Sequence, residues 1–177
     1  MKQFIFFTVL VVFALSCTQS KSSSNQTEND STIMEKPADV ALAEGKSCYL
    51  GVVGKDSVKM EIDRNGIDFK GFLSYKRFES DSSLGELNGT ISGDTLKGNF
   101  NFLSEGMISI NEKYFLVKDG KLLEGRGDMV NVDDMTMKFE NPSQLTYGQG
   151  FVLSQADCSN DFIPKDYKDF YYDLKKK

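Results

Sequence analysis

The stretch VKMEIDRNGIDFKGFLSYK, residues 58–76, decides the fold. Val58, Met60 and Ile62 alternate with Lys59, Glu61 and Asp63. Asn65-Gly66 then supplies the positive φ angles that a tight hairpin needs. Beyond the turn, Ile67, Phe69, Leu73 and Tyr75 oppose Asp68, Lys70, Ser74 and Lys76. A period of two with one wet face is a strand with a single buried side. Two such strands around Asn-Gly predict an antiparallel hairpin.

The same grammar runs outward in both directions. Apolar or β-branched runs fall near 47–53, 58–63, 67–76, 86–92, 95–103, 107–117, 121–129, 135–139 and 151–154. Turn signals separate them at Gly54-Lys55-Asp56, Gly93-Asp94 and Lys118-Asp119-Gly120. Leu96, Phe100 and Phe102 oppose Lys97, Asn99 and Asn101. This spacing predicts an all-β antiparallel meander.

One motif recurs: apolar, spacer, glycine, spacer, apolar. It appears as Phe69-Lys-Gly71-Phe-Leu73, Leu87-Asn-Gly89-Thr-Ile91 and Leu96-Lys-Gly98-Asn-Phe100, and Leu123-Glu-Gly125 begins a fourth copy. Each glycine is expected on the buried face, where a strand tolerates it when the backbone must bend. Large Phe side chains fill the space above such bends. The expectation is a meander curling into a small barrel of about eight or nine strands. A β-sandwich is the alternative. Phe69, Leu73, Phe100 and Phe102 would then face the interior, and would face an apolar ligand if the barrel is hollow.

Composition excludes several functions. With 21 Lys plus Arg against 26 Asp plus Glu, the net charge is −5. Such a chain lacks the basic field that nucleic-acid binding needs. Histidine is absent, which removes His-based triads and the commonest zinc and haem ligand. Asp63-Arg-Asn65-Gly66-Ile-Asp68 has its glycine too early for a calcium loop and no closing Glu. Asp128, Asp133 and Asp134 read as a solvated loop. Glu105 and Glu124 are the carboxylates that an acid/base hydrolase would use. That is the remote alternative, and neither an enzyme nor a cofactor is expected.

The chain opens MKQFIFFTVLVVFALSC, residues 1–17. Lys2 is a positive n-region, and Phe4 to Leu15 is an apolar run broken at Thr8. The run is short of the roughly 20 residues that span a bilayer. It reads as a signal peptide over 1–16. Ala14-Leu15-Ser16-Cys17 resembles the lipobox of bacterial lipoproteins, although Ala14 and Leu15 stand in swapped places. The resemblance implies diacylglycerol on the Cys17 thiol and an acylated amine, and two or more chains give stable anchoring.

With Cys17 lipidated, Cys48 and Cys158 remain as an even pair. A disulfide between them suits an oxidising compartment, and two buried free thiols are the other reading. Residues 17–45 read as a tether, because their first half is Ser, Thr, Asn, Gln and charge with no apolar residue until Ile33. As a coil of about 28 residues it averages about 30 Å end to end. The β-domain spans 46–160. In the tail, 161–177, Tyr167, Phe170, Tyr171 and Leu174 fall on one helical stripe, predicting a short amphipathic helix packed across the barrel.

Together Cys17, the polar tether and the stretch Gly85-Glu-Leu-Asn-Gly89 through Gly98-Asn-Phe-Asn-Phe102 to Gly106 look like the small, uncharacterised lipoproteins of Bacteroidota. Asp30-Ser31-Thr32, Asp56-Ser57-Val58 and Asp94-Thr95-Leu96 match that phylum's O-glycosylation pattern, with Ser31 in the tether the most accessible. The resemblance implies an outer-membrane lipid anchor. The expected function is a binding or structural module of the cell envelope. Its expected partners are the membrane and an unknown envelope protein, or a small apolar ligand in the interior.

Overall fold

The computed structural model describes residues 42–104, 107–159 and 162–176. Cys17, Ser31 and Glu105 lie outside them. Ten strands follow in order: β1 (Gly45–Val53), β2 (Asp56–Asn65), β3 (Asp68–Lys76), β4 (Ser83–Ser92), β5 (Thr95–Ser104), β6 (Met107–Lys118), β7 (Lys121–Arg126), β8 (Met129–Asn131), β9 (Thr136–Phe139) and β10 (Thr146–Ala156). A 3-10 turn, Pro142–Gln144, precedes β10, and helix α1 (Lys165–Lys175) follows it.

Strands β1 to β7 form a meander, and β10 returns between β7 and β1. The additional β5–β6 pairing closes an antiparallel eight-strand barrel, so the sandwich alternative falls. Closure removes the edges that those strands would otherwise expose. Only β8 and β9 stand outside the ring, with β9 running parallel to β6 at Ile110↔Thr136.

The predicted alternation holds in the first half of the chain except at Ile67, which was expected on the buried face but falls in the turn before β3 and is 68% exposed. Val58, Met60 and Ile62 are buried, as are Phe69, Leu73 and Tyr75. They meet in register: Met60 lies opposite Leu73, and Ile62 opposite Gly71. Glycine at the bends is required by close approach. A Cβ at Gly71 would sit 1.8 Å from the Glu61 carbonyl oxygen. The Phe69 ring covers Gly98, where a Cβ would meet Cζ at 3.1 Å.

Phe69, Leu73 and Phe100 are buried and Phe102 is half-buried. Phe100 and Phe102 stack at 4.8 Å, and Tyr75 packs on Phe100 at 5.8 Å and on Phe151 at 6.0 Å. The side chains expected to face a ligand thus pack on one another and on their neighbours. Eight strands give a lumen about as wide as side chains can fill.

The fourth glycine motif breaks phase. Leu122 and Glu124 face inward, and Gly125 faces outward beneath Tyr147 and Tyr114. The register places Glu124 opposite Phe115, and Leu123 opposite Leu116. The run expected over 121–129 stops at Arg126, and β8 starts at Met129 as a separate strand. Strands β8 and β9 form a flap over the outer wall. Phe139 packs against Tyr114 at 5.7 Å, and its amide donates to buried Glu112 at 3.2 Å.

A second cover lies over β1 to β4. Cys48 and Cys158 are joined as a disulfide, with Cα atoms 5.3 Å apart. The segment after Cys158 then crosses the wall. Glu61 accepts from the Ile163 amide at 3.0 Å and from Lys168 at 2.6 Å. Glu86 accepts from Lys175 at 2.6 Å and from the Tyr171 hydroxyl at 3.3 Å. The helix presents Lys168, Tyr171, Tyr172 and Lys175 to the wall, a stripe rotated by one residue from the sequence expectation. Tyr171 is fully buried, whereas Tyr167 and Phe170 are 57% and 62% exposed. On this face Lys168 and Lys175 pair with Glu61 and Glu86, so neither carboxylate is covered without a cation beside it.

Candidate functional site

The two ends of the barrel differ. The chain enters at one end, beside the 65–68, 92–95 and 118–121 hairpins. There Leu42 is buried, and its carbonyl accepts from Arg64. A cavity of about 70 Å³ remains among Leu42, Tyr49, Val117, Leu122 and Gln155, room for a few water molecules. The 63–68 hairpin is a turn, as its sequence implies. Arg64 donates to Gly66 O at 2.8 Å and pairs with Glu44 at 3.4 Å.

The opposite end, the mouth, is polar. On the inner side of β7, Glu124 and Arg126 continue the line of Leu122, and on β6 Asn111 and Lys113 continue the line of Phe115. Glu124 Oε1 accepts from the Tyr75 hydroxyl at 2.7 Å and from Lys113 Nζ at 3.1 Å. Arg126 Nη2 stands 3.9 Å from Oε2, beyond hydrogen-bond reach. Lys113 Nζ also lies 4.8 Å from the Tyr75 ring centre, and Arg77 Cζ 5.9 Å from it. Glu124 is buried to 94% of its side chain, and its Oε2 has no hydrogen-bond partner among the described residues.

A bulge makes this place. Tyr147 pairs with Gly125 and Val152 with Leu123. Glu124 alone on β7 therefore faces four residues, Gly148 to Phe151, on β10. Gly148 has φ +85°, which glycine adopts without strain. A Cβ at Gly150 would lie 2.7 Å from Arg126 Nε and 3.3 Å from Glu124 Oε2. Its absence lets the arginine stem lie over the carboxylate. Bulges gather at barrel rims and beside active sites, where they re-aim side chains.

Electrostatics fix both protonation states, a charged Glu124 and a neutral Tyr75. Burial alone would raise the Glu124 pKa, but Lys113, the Tyr75 hydroxyl and Arg126 outweigh it and hold the carboxyl below its ordinary value. Burial, then the Glu124 charge and hydrogen bond, push the Tyr75 hydroxyl well above its ordinary value. Both shifts run away from neutrality. A general acid or base works best with a pKa near the working pH, so this pair suits binding better than proton transfer.

Sequence reading named Glu124 but paired it with Glu105, which lies outside the described residues. It missed Tyr75, Arg77, Lys113 and Arg126. One signal was present: Glu112-Lys113 are consecutive charges within a strand, so one of them had to point inward. In the Asp56 and Asp94 motifs, Asp56 accepts from the Phe78 amide at 2.8 Å and Asp94 from the Thr95 hydroxyl at 3.0 Å. Compared with protein-family models, curated proteins and solved structures, the chain matches none.

Proposed function

We propose that this chain is a lipid-anchored binding module of the bacterial cell envelope, held at the outer membrane by acyl groups on Cys17. It acts by binding rather than catalysis, and the mouth of the barrel is its binding face. The observation that carries this reading is the polarity of the barrel. Leu42, where the tether joins, closes one end, while Tyr75, Lys113, Glu124 and Arg126 gather at the other. Barrel mouths are common binding places, and this one lies at the end opposite Leu42. Phe69, Leu73, Phe100 and Phe102, which would face an apolar cargo, pack on one another and their neighbours.

Metabolic labelling with a palmitate analogue tests the anchor. Labelled wild-type protein in the membrane fraction and unlabelled Cys17→Ala protein are expected. Label that persists in the Cys17→Ala variant contradicts it.

A further inference from the structure

The ligand class rests on the mouth being the binding face. The chain is acidic overall, yet Lys113 and Arg126 stand by the Glu124 carboxylate at its mouth, and Arg77 stands by the ring of Tyr75 that bonds it. Lys113 is committed to Glu124 at 3.1 Å. Arg126 is only loosely paired at 3.9 Å and its side chain is 54% exposed. Arg77 is exposed and has no carboxylate within salt-bridge distance among the described residues. Arg77 Cζ stands 5.9 Å from the centre of the Tyr75 ring, whose hydroxyl bonds the carboxylate that Arg126 approaches to 3.9 Å, so both guanidiniums border the Tyr75–Glu124 pair.

The floor of the same mouth holds an acceptor without a donor. Glu124 Oε2 is buried and unpaired, and an unmet buried acceptor is costly. The two demands together are selective. A bare anion would satisfy the arginines but bring negative charge toward Oε2. A bare cation would satisfy Oε2 but meet two guanidiniums. A molecule carrying a carboxylate and an adjacent donor satisfies both.

We propose that the mouth binds a small hydroxy- or amino-carboxylate. Its carboxylate lies across Arg77 and Arg126, and its hydroxyl or ammonium donates to Glu124 Oε2. Guanidinium is suited to this task, because its planar fork matches a carboxylate in two parallel hydrogen bonds. Gly150 leaves the notch in which the Arg126 stem lies, and Arg126 Nη2 stands 3.9 Å from Glu124 Oε2 with its side chain 54% exposed. Glu124 is a positioning group as well as a contact, since it also fixes Lys113 and Tyr75.

The test is calorimetric titration of the full chain in detergent with glycolate, glycine, acetate and inorganic phosphate. Glycolate or glycine is expected to bind at least about tenfold more tightly than acetate, the worth of one hydrogen bond to a charged group. Arg77→Gln, on the exposed rim where folding is not at stake, is expected to weaken binding about tenfold. Glu124→Gln is expected to erase the preference over acetate. Equal affinity for acetate and glycolate, tighter binding of phosphate, no saturable heat with any of the four, or indifference to Arg77→Gln overturns the proposal. Palmitate labelling at Cys17 is read on the same preparation without any ligand, so failure here and failure of the anchor are distinguishable.

Discussion

The Tyr75 hydroxyl donates to Glu124 Oε1 across 2.7 Å, tying β3 to β7 through the barrel interior. These strands are not neighbours in the sheet. The contact is therefore a cross-brace, and it positions the carboxylate on which the mouth depends.

Tyr75→Phe keeps the ring that packs on Phe100 and Phe151 and removes only the hydroxyl. Glu124 Oε1 would keep Lys113 alone. A loss of about 1–3 kcal/mol is expected from urea unfolding near neutral pH. An unchanged midpoint would mean that the brace carries no stability.

The pH profile has two limbs with known signs. Glu124 has a depressed folded pKa, so its contribution is present above the unfolded value of about 4.3 and is lost as pH falls toward the folded one. Tyr75 has a raised folded pKa, so its contribution is complete below about pH 10 and is lost as pH rises toward the folded value. Urea midpoints across pH are expected to fall at both extremes. In Tyr75→Phe the share of the alkaline limb due to this hydroxyl should vanish, and an identical alkaline limb would contradict the assignment.

Gly71→Ala drives a Cβ into the Glu61 carbonyl. Overpacking against backbone is expected to cost about 1–3 kcal/mol or more. Lys70→Ala, on the neighbouring exposed position, should stay within about 0.5 kcal/mol of wild type. Equal stability of the two variants would argue against the close approach of β2 and β3.

Tyr171→Ala empties a fully buried site and is expected to cost about 3–5 kcal/mol. Phe170→Ala should cost little, because that ring is mostly exposed. Thermal unfolding of the two variants separates them. The reverse order would restore the helix face first expected from the sequence.

Legibility followed the wetness of each strand's outer face. β2, β3 and β5 carry Lys, Asp and Asn outward, so Val58, Phe69 and Leu96 declared the phase unaided. β6 and β7 are covered on both sides, inward by the barrel and outward near Tyr114 and Gly125 by the flap. With apolar residues on both faces, a period of two no longer says which face is inside. That is why Leu123-Glu-Gly125 was read out of phase and Glu124 was not seen as an interior residue. β10 was expected only from Phe151 because Gly148 and Gly150 interrupt its pattern, and those glycines build the bulge beside the site. The helix face was misread because Glu61 and Glu86 act at a sequence distance that no local pattern reports.

The most direct measurement follows the Glu124 carboxylate by carbon-13 NMR through a pH titration of the full chain. An inward Glu124 held by Lys113, Tyr75 and Arg126 should titrate below the ordinary glutamate value of about 4.3. Titration at or above that value, in step with the exposed glutamates, would put the side chain in solvent, reverse the phase of β7, and leave the barrel without the mouth described here.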